Sequence, residues 1–307
     1  MIQDPDLATE RSLWRKGHRV VAGVDEVGRG AWAGPLTVGV ALVGAPEAAG
    51  CGAAGCRADR RRVPPTRRRV PPGLRDSKML AEARREEVFD MVTQWCTAWA
   101  VGHVEPAECD ELGMTAALRL AAARAFAALP NGLEPDAVVV DGPMDFVTPP
   151  TQGTLPLGPG VPGAHEWWSP EVRTEVDGDA RCASVAAASV LAKVTRDRIM
   201  REQAAYYPAF DFDRNKGYPS PSHQRALCGY GLTALHRRSW AFAFDLPWRP
   251  SWSRPRGEGS MKPQDEASDP DVFDPDVFDP GAPDPGAPDR GVFDPGAPDR
   301  GAVAAGA

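Results

Sequence analysis

The chain of 307 residues is 42% hydrophobic, which is enough for the buried core of one large domain or two ordinary ones. Its formal net charge is −7, but residues 264–307 alone contribute −9, so the remainder is mildly basic at +2 and compatible with a polyanionic partner. The sequence has no signal-peptide pattern and no run of about 18 apolar residues, which excludes secreted and membrane-spanning classes and predicts a cytoplasmic protein.

Alternating apolar patterns predict an α/β fold with strands and helices in turn. The predicted strands lie at residues 19–27, 36–43, 99–104, 136–141 and 171–176. The predicted helices lie at residues 80–94, 115–128 and 184–206, with short helices within 221–246. The first two strands, joined by a Gly-rich turn, predict a hairpin, and the run AVVVD at 137–141 predicts a buried parallel strand that ends in a carboxylate.

Three segments interrupt this pattern. Residues 44–73 are rich in Gly and Pro and carry two arginine triplets, which predicts a mobile inserted loop. Residues 149–163 form a second insert, rich in Pro and Gly. From residue 253 onward Asp, Pro, Gly and Ala dominate in a five-residue repeat that predicts disorder. The predicted organisation is an N-terminal extension at 1–18, a folded domain at 19–252 and a disordered tail at 253–307.

Four carboxylates lie at the ends of predicted strands or just before a predicted helix. Asp25 and Glu26 end an apolar strand, where their mutual repulsion favours a cation. Because strand side chains alternate between faces, only one of the two can point directly into a site. Asp141 ends a second strand and Asp179 lies just before a helix. Four such carboxylates suit Mg²⁺ or Mn²⁺, and two ions about 4 Å apart can support phosphodiester hydrolysis without a protein nucleophile.

Two glycines follow these acids in the stretch GRGAWA at 28–33, which matches the pattern G-x-G-x-x-A. A dinucleotide-binding turn opens into a helix, whereas the next residues, PLTVGV, are typical of a strand. We therefore interpret residues 28–30, called here the glycine turn, as a place where backbone amides approach a ligand beside Arg29.

The motif GVDEVGRG at 23–30, followed by AGP at 33–35, closely resembles the opening motif of bacterial ribonuclease HII. Further matches to that family are LRDSK at 74–78, VDG at 140–142, AAASVLAKVTRD at 186–197, KGYP at 216–219 and HRRS at 236–239. The resemblance covers residues 20–242 apart from the two inserts. It implies a ribonuclease H-like mixed five-stranded sheet flanked by helices, with a C-terminal helical region and a disordered acidic tail.

The resemblance also implies a set of catalytic metal ligands. By motif position these are Asp25, Glu26, Asp141 and Asp179, which we call the carboxylate cluster. Asp197 is a competing fourth acid, because Ser189, Lys193 and Asp197 share one helical face. We prefer Asp179 and expect an ion-pair role for Asp197.

Substrate contacts follow from the same resemblance. The glycine turn (Gly28, Arg29 and Gly30) would read the ribose 2′-hydroxyl, and Tyr218 would stack on the following sugar. The alternative for Tyr218 is a buried aromatic in the C-terminal helical region. The positions matching phosphate contacts are Arg75, Ser77, Lys78 and Lys193. Any one of these could be an ordinary surface residue, and we prefer Lys78 and Lys193. The family usually has Lys where this chain has Asp177, which puts the local phosphate contact and Asp179 in doubt.

The implied activity is endonucleolytic hydrolysis of RNA in RNA–DNA hybrids and of single ribonucleotides embedded in duplex DNA, assisted by two divalent ions, Mg²⁺ or Mn²⁺. We expect a monomer whose partners are these nucleic acids and no membrane. A catalytically silent nucleic-acid-binding module is the alternative; the ribonuclease HIII type is disfavoured because about 19 residues before the first strand are too few for its N-terminal domain. The 44–73 insert is either a phosphate clamp or a solvated loop. The tail is either an acidic interaction segment or a passive extension.

Overall fold

The computed structural model describes residues 4–46, 69–130, 133–148, 170–244 and 246. The predictions for most of the 44–73 insert, for the 149–163 insert and for the 253–307 tail therefore lie outside the described residues.

The described residues form one mixed five-stranded sheet, as predicted. Its strands are β1 (Val20–Val27), β2 (Leu36–Gly44), β3 (Ala98–Val104), β4 (Ala137–Asp141) and β5 (Glu171–Glu175). Their spatial order is β3-β2-β1-β4-β5, with β1, β2 and β3 antiparallel and β4 and β5 parallel to β1. The hairpin and the buried parallel strand expected from the sequence are both confirmed.

Helices cover both faces of the sheet. They are α1 (Ala8–Arg15), α2 (Glu82–Trp95), α3 (Pro106–Leu112), α4 (Met114–Ala127), α5 (Gly178–Arg181), α6 (Ala183–Tyr206), α7 (Phe212–Asn215), α8 (Pro221–Tyr230) and α9 (Ala241–Phe244). The three long predicted helices correspond to α2, α4 and α6, and the short ones within 221–246 to α8 and α9. None of the described helices is both long and apolar enough to cross a membrane.

The residues of β1 alternate between two buried layers. Val20, Ala22 and Val24 belong to one apolar cluster with Leu118 and Ala121 of α4. Val21 belongs to another, formed with residues of α1, β4 and α6. Because helices cover both faces, every residue from Val20 to Asp25 is buried rather than every second one.

Helix α6 lies directly on β1 and β2 because glycines allow the close approach. A side chain at Gly23 would meet the backbone of Ser184 at 2.1 Å, and one at Gly39 would meet the carbonyl oxygen of Ala188 at 2.5 Å. This close packing brings the N-terminal part of α6, including Ser189, beside Asp25 near the end of β1. The site described below depends on that placement.

Helix α1 was not predicted and lies within the segment interpreted as an N-terminal extension. Leu13 packs with Val21, Ala137 and Val185 in the layer under α6. The buried carboxylate of Glu10 accepts a 2.8 Å hydrogen bond from the backbone N–H of Ser184 at the start of α6. This segment therefore supports both the sheet and the start of the long helix.

Candidate active site

The pairing of β1 with β4 brings two of the predicted carboxylates side by side in the interior of the sheet. The strands run parallel, and Val24 and Val140 are the last residues that pair, so Asp25 and Asp141 follow them side by side. Asp141 is the last residue of β4, whereas β1 continues to Val27. Gly23 faces α6, and Asp25 is two residues further along, so its side chain lies on the same face of the strand.

Asp25 is the most deeply buried member of the carboxylate cluster, with 6% of its surface exposed. Burial, followed by the charges of Glu26 and Asp141, raises the pKa of Asp25 well above its usual range. A hydrogen bond from Ser189 of α6 acts in the opposite direction on this pKa. Asp25 also accepts a 2.7 Å hydrogen bond from the backbone N–H of Glu26.

Glu26 is the next residue on the strand and is less enclosed. Its side chain is 17% exposed, and its Oε1 lies 3.8 Å from Nη1 of Arg29 in the glycine turn. The two adjacent carboxylates therefore differ in their surroundings.

Asp179 is joined to Asp141 through the backbone. Oδ1 of Asp141 accepts hydrogen bonds from the N–H groups of Gly178, at 2.7 Å, and Asp179, at 3.3 Å, at the first turn of α5. Burial raises the pKa of Asp141. Burial, with the charges of Asp141 and Asp76, raises the pKa of Asp179 to about 7, whereas Lys78 lowers both values.

Asp177, which directly precedes α5, adopts an uncommon backbone conformation. Asp177 is exposed and has a φ of +54°, which Asp tolerates better than most other residues with a side chain. It comes directly before α5, so its backbone leads Gly178 and Asp179 toward Asp141.

The chemistry of the carboxylate cluster fits a hard divalent cation. Its ligand atoms are oxygens. Burial raises the pKa values of Asp25, Asp141 and Asp179, and repulsion by neighbouring carboxylates raises those of Asp25 and Asp179 further. Across the described residues, no three His, Cys, Asp or Glu side chains already converge as a metal-binding group. The carboxylates are therefore neighbours that repel one another rather than a finished ligand set.

Asp197, the competing fourth acid, is held in two ion pairs. Its carboxylate lies 3.0 Å from Nη1 of Arg85 and 3.0 Å from Nζ of Lys193, and only 3% of the residue is exposed. The expected ion-pair partners are thus present. Two cations already satisfy this carboxylate, in contrast to the cluster on β1 and β4.

The four residues predicted to hold phosphates differ in surroundings. Lys78 is exposed and is the one whose charge acts on Asp141 and Asp179. Ser77 is buried and shares a 2.8 Å hydrogen bond with Ser189.

The other two are already engaged in ion pairs. Arg75 is exposed and donates a 2.8 Å hydrogen bond to Asp4. The Lys193 ammonium lies 5.5 Å from the centre of the Tyr218 ring while it is paired with Asp197.

The glycine turn and Tyr218 are in direct contact. Gly28 has a φ of +86° and donates its N–H to the Tyr218 hydroxyl at 3.1 Å. The N–H groups of Trp32 and Ala33 donate to the carbonyl oxygen of Gly217, at 2.9 and 3.1 Å. The two segments are therefore fixed in register although they are far apart in the sequence.

Two buried arginines hold these segments, and sequence reasoning assigned a role to neither. Arg237 donates to the carbonyl oxygens of Gly28 and Arg29. Arg196 donates to the carbonyl oxygens of Ala33, Pro35 and Lys216 at 2.8 to 2.9 Å. Both lie inside quoted motifs, HRRS and AAASVLAKVTRD, but arginine is usually exposed and no sequence signal marked them as buried.

Comparisons with known proteins agree on one family. A family model described as Ribonuclease HII matches residues 66–243, a span that begins after β2. Proteins called ribonuclease HII from Streptomyces avermitilis and Streptomyces griseus are 44% and 46% identical over 249 residues, covering 80% of this chain and 88% and 87% of theirs. The crystal structure of ribonuclease H2 from Pyrococcus horikoshii is 29% identical with a TM-score of 0.53, covering 74% of this chain and 96% of that one.

Proposed function

Because the chain belongs to the ribonuclease HII family and is therefore an endonuclease that acts on RNA–DNA, we propose a specific reaction for it. It hydrolyses RNA in RNA–DNA hybrids and single ribonucleotides embedded in duplex DNA. The cut falls on the 5′ side of the ribonucleotide and leaves 3′-hydroxyl and 5′-phosphate ends. As part of the same proposal, the enzyme works as a monomer in the cytoplasm.

The observation that carries this proposal is the parallel pairing of β1 with β4, which places their carboxylates side by side. Asp25 and Asp141 each directly follow the last paired residue of two adjacent parallel strands, and Asp141 accepts hydrogen bonds from the backbone N–H groups of Gly178 and Asp179. Three carboxylates from distant parts of the chain thus lie beside one another, with Glu26 next to them. Such repulsion inside a fold is unfavourable unless a cation or a proton relieves it.

We propose that Asp25, Glu26, Asp141 and Asp179 hold two divalent cations, Mg²⁺ or Mn²⁺. When bound, such ions supply an activated water and stabilise the charge on the leaving oxygen. The residues of this chain supply the ligand oxygens and their placement. The bonds from Ser189 and from the Glu26 N–H orient Asp25, and the N–H groups at α5 orient Asp141.

Cationic side chains beside the cluster are suited to the phosphates of the substrate. Lys78 is exposed and close enough to affect the charges of Asp141 and Asp179. We propose that it contacts the phosphate next to the bond that is cut. Lys193 would contact phosphate beside the Tyr218 ring, either while it stays paired with Asp197 or after that ion pair breaks. Arg75 and Ser77 contribute less directly, because Arg75 is paired with Asp4 and Ser77 is buried against Ser189.

We propose that the glycine turn recognises the ribose 2′-hydroxyl and that Tyr218 stacks on the next sugar. The hydroxyl is the group that distinguishes RNA from DNA at one nucleotide. The contact between Gly28 and Tyr218 supports this assignment, since it makes the turn and the ring parts of one surface. The glycine turn begins three residues after Asp25, which is about 10 Å along an extended chain, so recognition and cleavage are neighbours.

The test is a cleavage assay on duplex DNA with one embedded ribonucleotide, with and without Mg²⁺ or Mn²⁺. We expect one cut on the 5′ side of the ribonucleotide, only with the metal, and none in the all-DNA duplex. Binding without cleavage under every metal condition would support the silent nucleic-acid-binding module instead.

A further inference from the structure

Two buried histidines, which the proposed reaction does not use, lie behind Tyr218. His223 in α8 and His236 are 0% and 1% exposed, and their Nε2 atoms are 2.9 Å apart. Aromatic rings surround the pair, including Trp32 and Phe212 at 5.6 and 5.4 Å from His223. Polar nitrogens in such surroundings are unfavourable unless each has a hydrogen-bond partner.

The partners at the two ends of the pair fix the direction of its hydrogen bonds. The backbone N–H of Thr233 can only donate, and it donates to Nδ1 of His236 at 2.9 Å. A neutral imidazole has one N–H, so His236 carries it on Nε2 and donates it to Nε2 of His223. His223 must then carry its hydrogen on Nδ1, which lies 2.9 Å from the carbonyl oxygen of Tyr218, a group that can only accept.

Both rings remain neutral in this arrangement. Burial lowers the pKa of His223, and burial with the charges of His223 and Arg238 lowers the pKa of His236 to about 3. The chain of bonds therefore runs in one direction, from Thr233 through both imidazoles to Tyr218.

Tyr218 is held at both ends as a result. Its hydroxyl accepts the N–H of Gly28 on the side of the glycine turn. Its carbonyl accepts the N–H of His223 on the opposite side. His236 also pairs with Ala33 in an isolated β-bridge, so the pair touches both the turn segment and the tyrosine segment.

We propose that His223 and His236 are positioning residues, which hold Tyr218 so that its ring and hydroxyl stay against the glycine turn. Neither imidazole reaches the substrate, since both are enclosed. The inference rests on the proposed function, because Tyr218 matters for activity only if it contacts the sugar after a ribonucleotide. A shift of the ring by about 1 Å is enough to cost up to about 100-fold in rate.

The test is a double-mutant cycle between His223 and Tyr218, measured as kcat and KM on duplex DNA with one embedded ribonucleotide. His223→Phe keeps an aromatic ring of similar size and removes the donor to Tyr218. His223→Asn keeps a donor near the position of Nδ1. Melting temperature is measured for every variant.

In the wild-type background we expect His223→Phe to lower kcat/KM at least about tenfold and His223→Asn to stay within about threefold of wild type. In a Tyr218→Ala background we expect His223→Phe to have almost no further effect, because the ring it positions is absent. A general loss of stability would instead lower kcat/KM equally in both backgrounds.

The outcomes distinguish failure of the positioning role from failure of the proposed function. Equal losses in both backgrounds, or wild-type kcat/KM in His223→Phe, would overturn the positioning role while the proposed function stands. No cleavage of this substrate by the wild-type enzyme would overturn the proposed function and the positioning role with it. If His223→Phe does not fold, His223→Asn decides, since a loss beyond tenfold in that variant contradicts the proposal.

Discussion

The backbone N–H of Gly28 donates a hydrogen bond of 3.1 Å to the hydroxyl of Tyr218, although the two residues are 190 positions apart in the chain. One residue belongs to the turn after β1 and the other to the segment between α7 and α8. The pair of motifs that the family resemblance links to the ribonucleotide is therefore one structural unit. A change in either the glycine turn or Tyr218 should therefore impair the contribution of both to activity.

Tyr218→Phe removes the acceptor for the Gly28 N–H and keeps the ring. We expect kcat/KM on an embedded ribonucleotide to fall about five- to tenfold, because one hydrogen bond contributes about 1 kcal/mol. Tyr230→Phe is the matched control, since Tyr230 is 76% exposed and lies in α8. A Tyr218→Phe enzyme with wild-type kcat/KM would show that the bond does not organise the turn.

Gly28→Ala tests the backbone of the glycine turn. Gly28 has a φ of +86°, and an added methyl group would meet the Nε atom of Arg196 at 2.4 Å and the carbonyl oxygen of Pro35 at 2.8 Å. Arg196 is fixed by three carbonyl oxygens and cannot move aside easily. We expect kcat/KM to fall at least about 100-fold.

The control for that variant is Gly17→Ala. Gly17 also has a positive φ, +105°, but no atom lies within 4 Å of the methyl group. It should lose about 1 kcal/mol of stability through backbone strain and keep its activity. Equal activity losses in both variants would mean that crowding at Arg196 is unimportant.

Asp179→Asn tests the repulsion within the carboxylate cluster through the pH dependence of stability. The pKa of Asp179 is raised to about 7, against roughly 3.9 in an unfolded chain. The native state therefore binds this proton more tightly, so the ionised carboxylate destabilises the fold above about pH 7. That penalty shrinks as the pH falls toward 4.

We therefore expect metal-free Asp179→Asn to melt at least about 3 °C above wild type at pH 8. The difference should shrink near pH 4.5, where the native Asp179 is already protonated. The measurement is thermal unfolding in a chelating buffer at both pH values. A lower melting temperature for the variant at pH 8 would contradict the assignment of Asp179 to a repulsive cluster.

Asp197→Asn, in contrast to Asp179→Asn, should lower the stability of the protein. Asp197 is the shared partner of Arg85 and Lys193, and its loss leaves two enclosed cations without compensation. We expect a loss of about 3 kcal/mol in the free energy of unfolding, measured by urea denaturation. Mg²⁺ or Mn²⁺ binding, measured by titration calorimetry, should persist in this variant and be lost in Asp179→Asn. The reverse pattern would make Asp197 the fourth ligand.

The sheet and its long helices could be predicted because their apolar patterns are local. The register of β1 against β4 could not, because whether Val24 lies beside Val140 depends on contacts across more than a hundred residues. The predicted strand ends already suggested that Asp25 and Asp141 converge, and the motif resemblance gave the same pair. The structure adds the register, which places Asp25 and Asp141 side by side directly after the last residues that pair between β1 and β4.

The supports of the site were the part that sequence reasoning missed. Arg196 and Arg237 are buried against backbone carbonyl oxygens, and His223 is paired with His236, but each residue type is more often exposed or intermediate. Arg196, Arg237 and His223 bind backbone carbonyl groups, and every residue has such a group, so the sequence does not indicate these contacts. Helix α1 was missed for a similar reason, because Leu13 is buried only through contacts with β1, β4 and α6.

The central claim is that the carboxylate cluster carries the catalysis, and Asp25→Asn tests it most directly. The measurement is cleavage of duplex DNA with one embedded ribonucleotide in Mg²⁺ or Mn²⁺, alongside hybrid binding and melting temperature. Asp90→Asn, an exposed acid in α2, is the control and should match wild type. We expect Asp25→Asn to lose at least about 1,000-fold in kcat while folding and binding are largely preserved. Cleavage at the wild-type rate by Asp25→Asn would contradict the account.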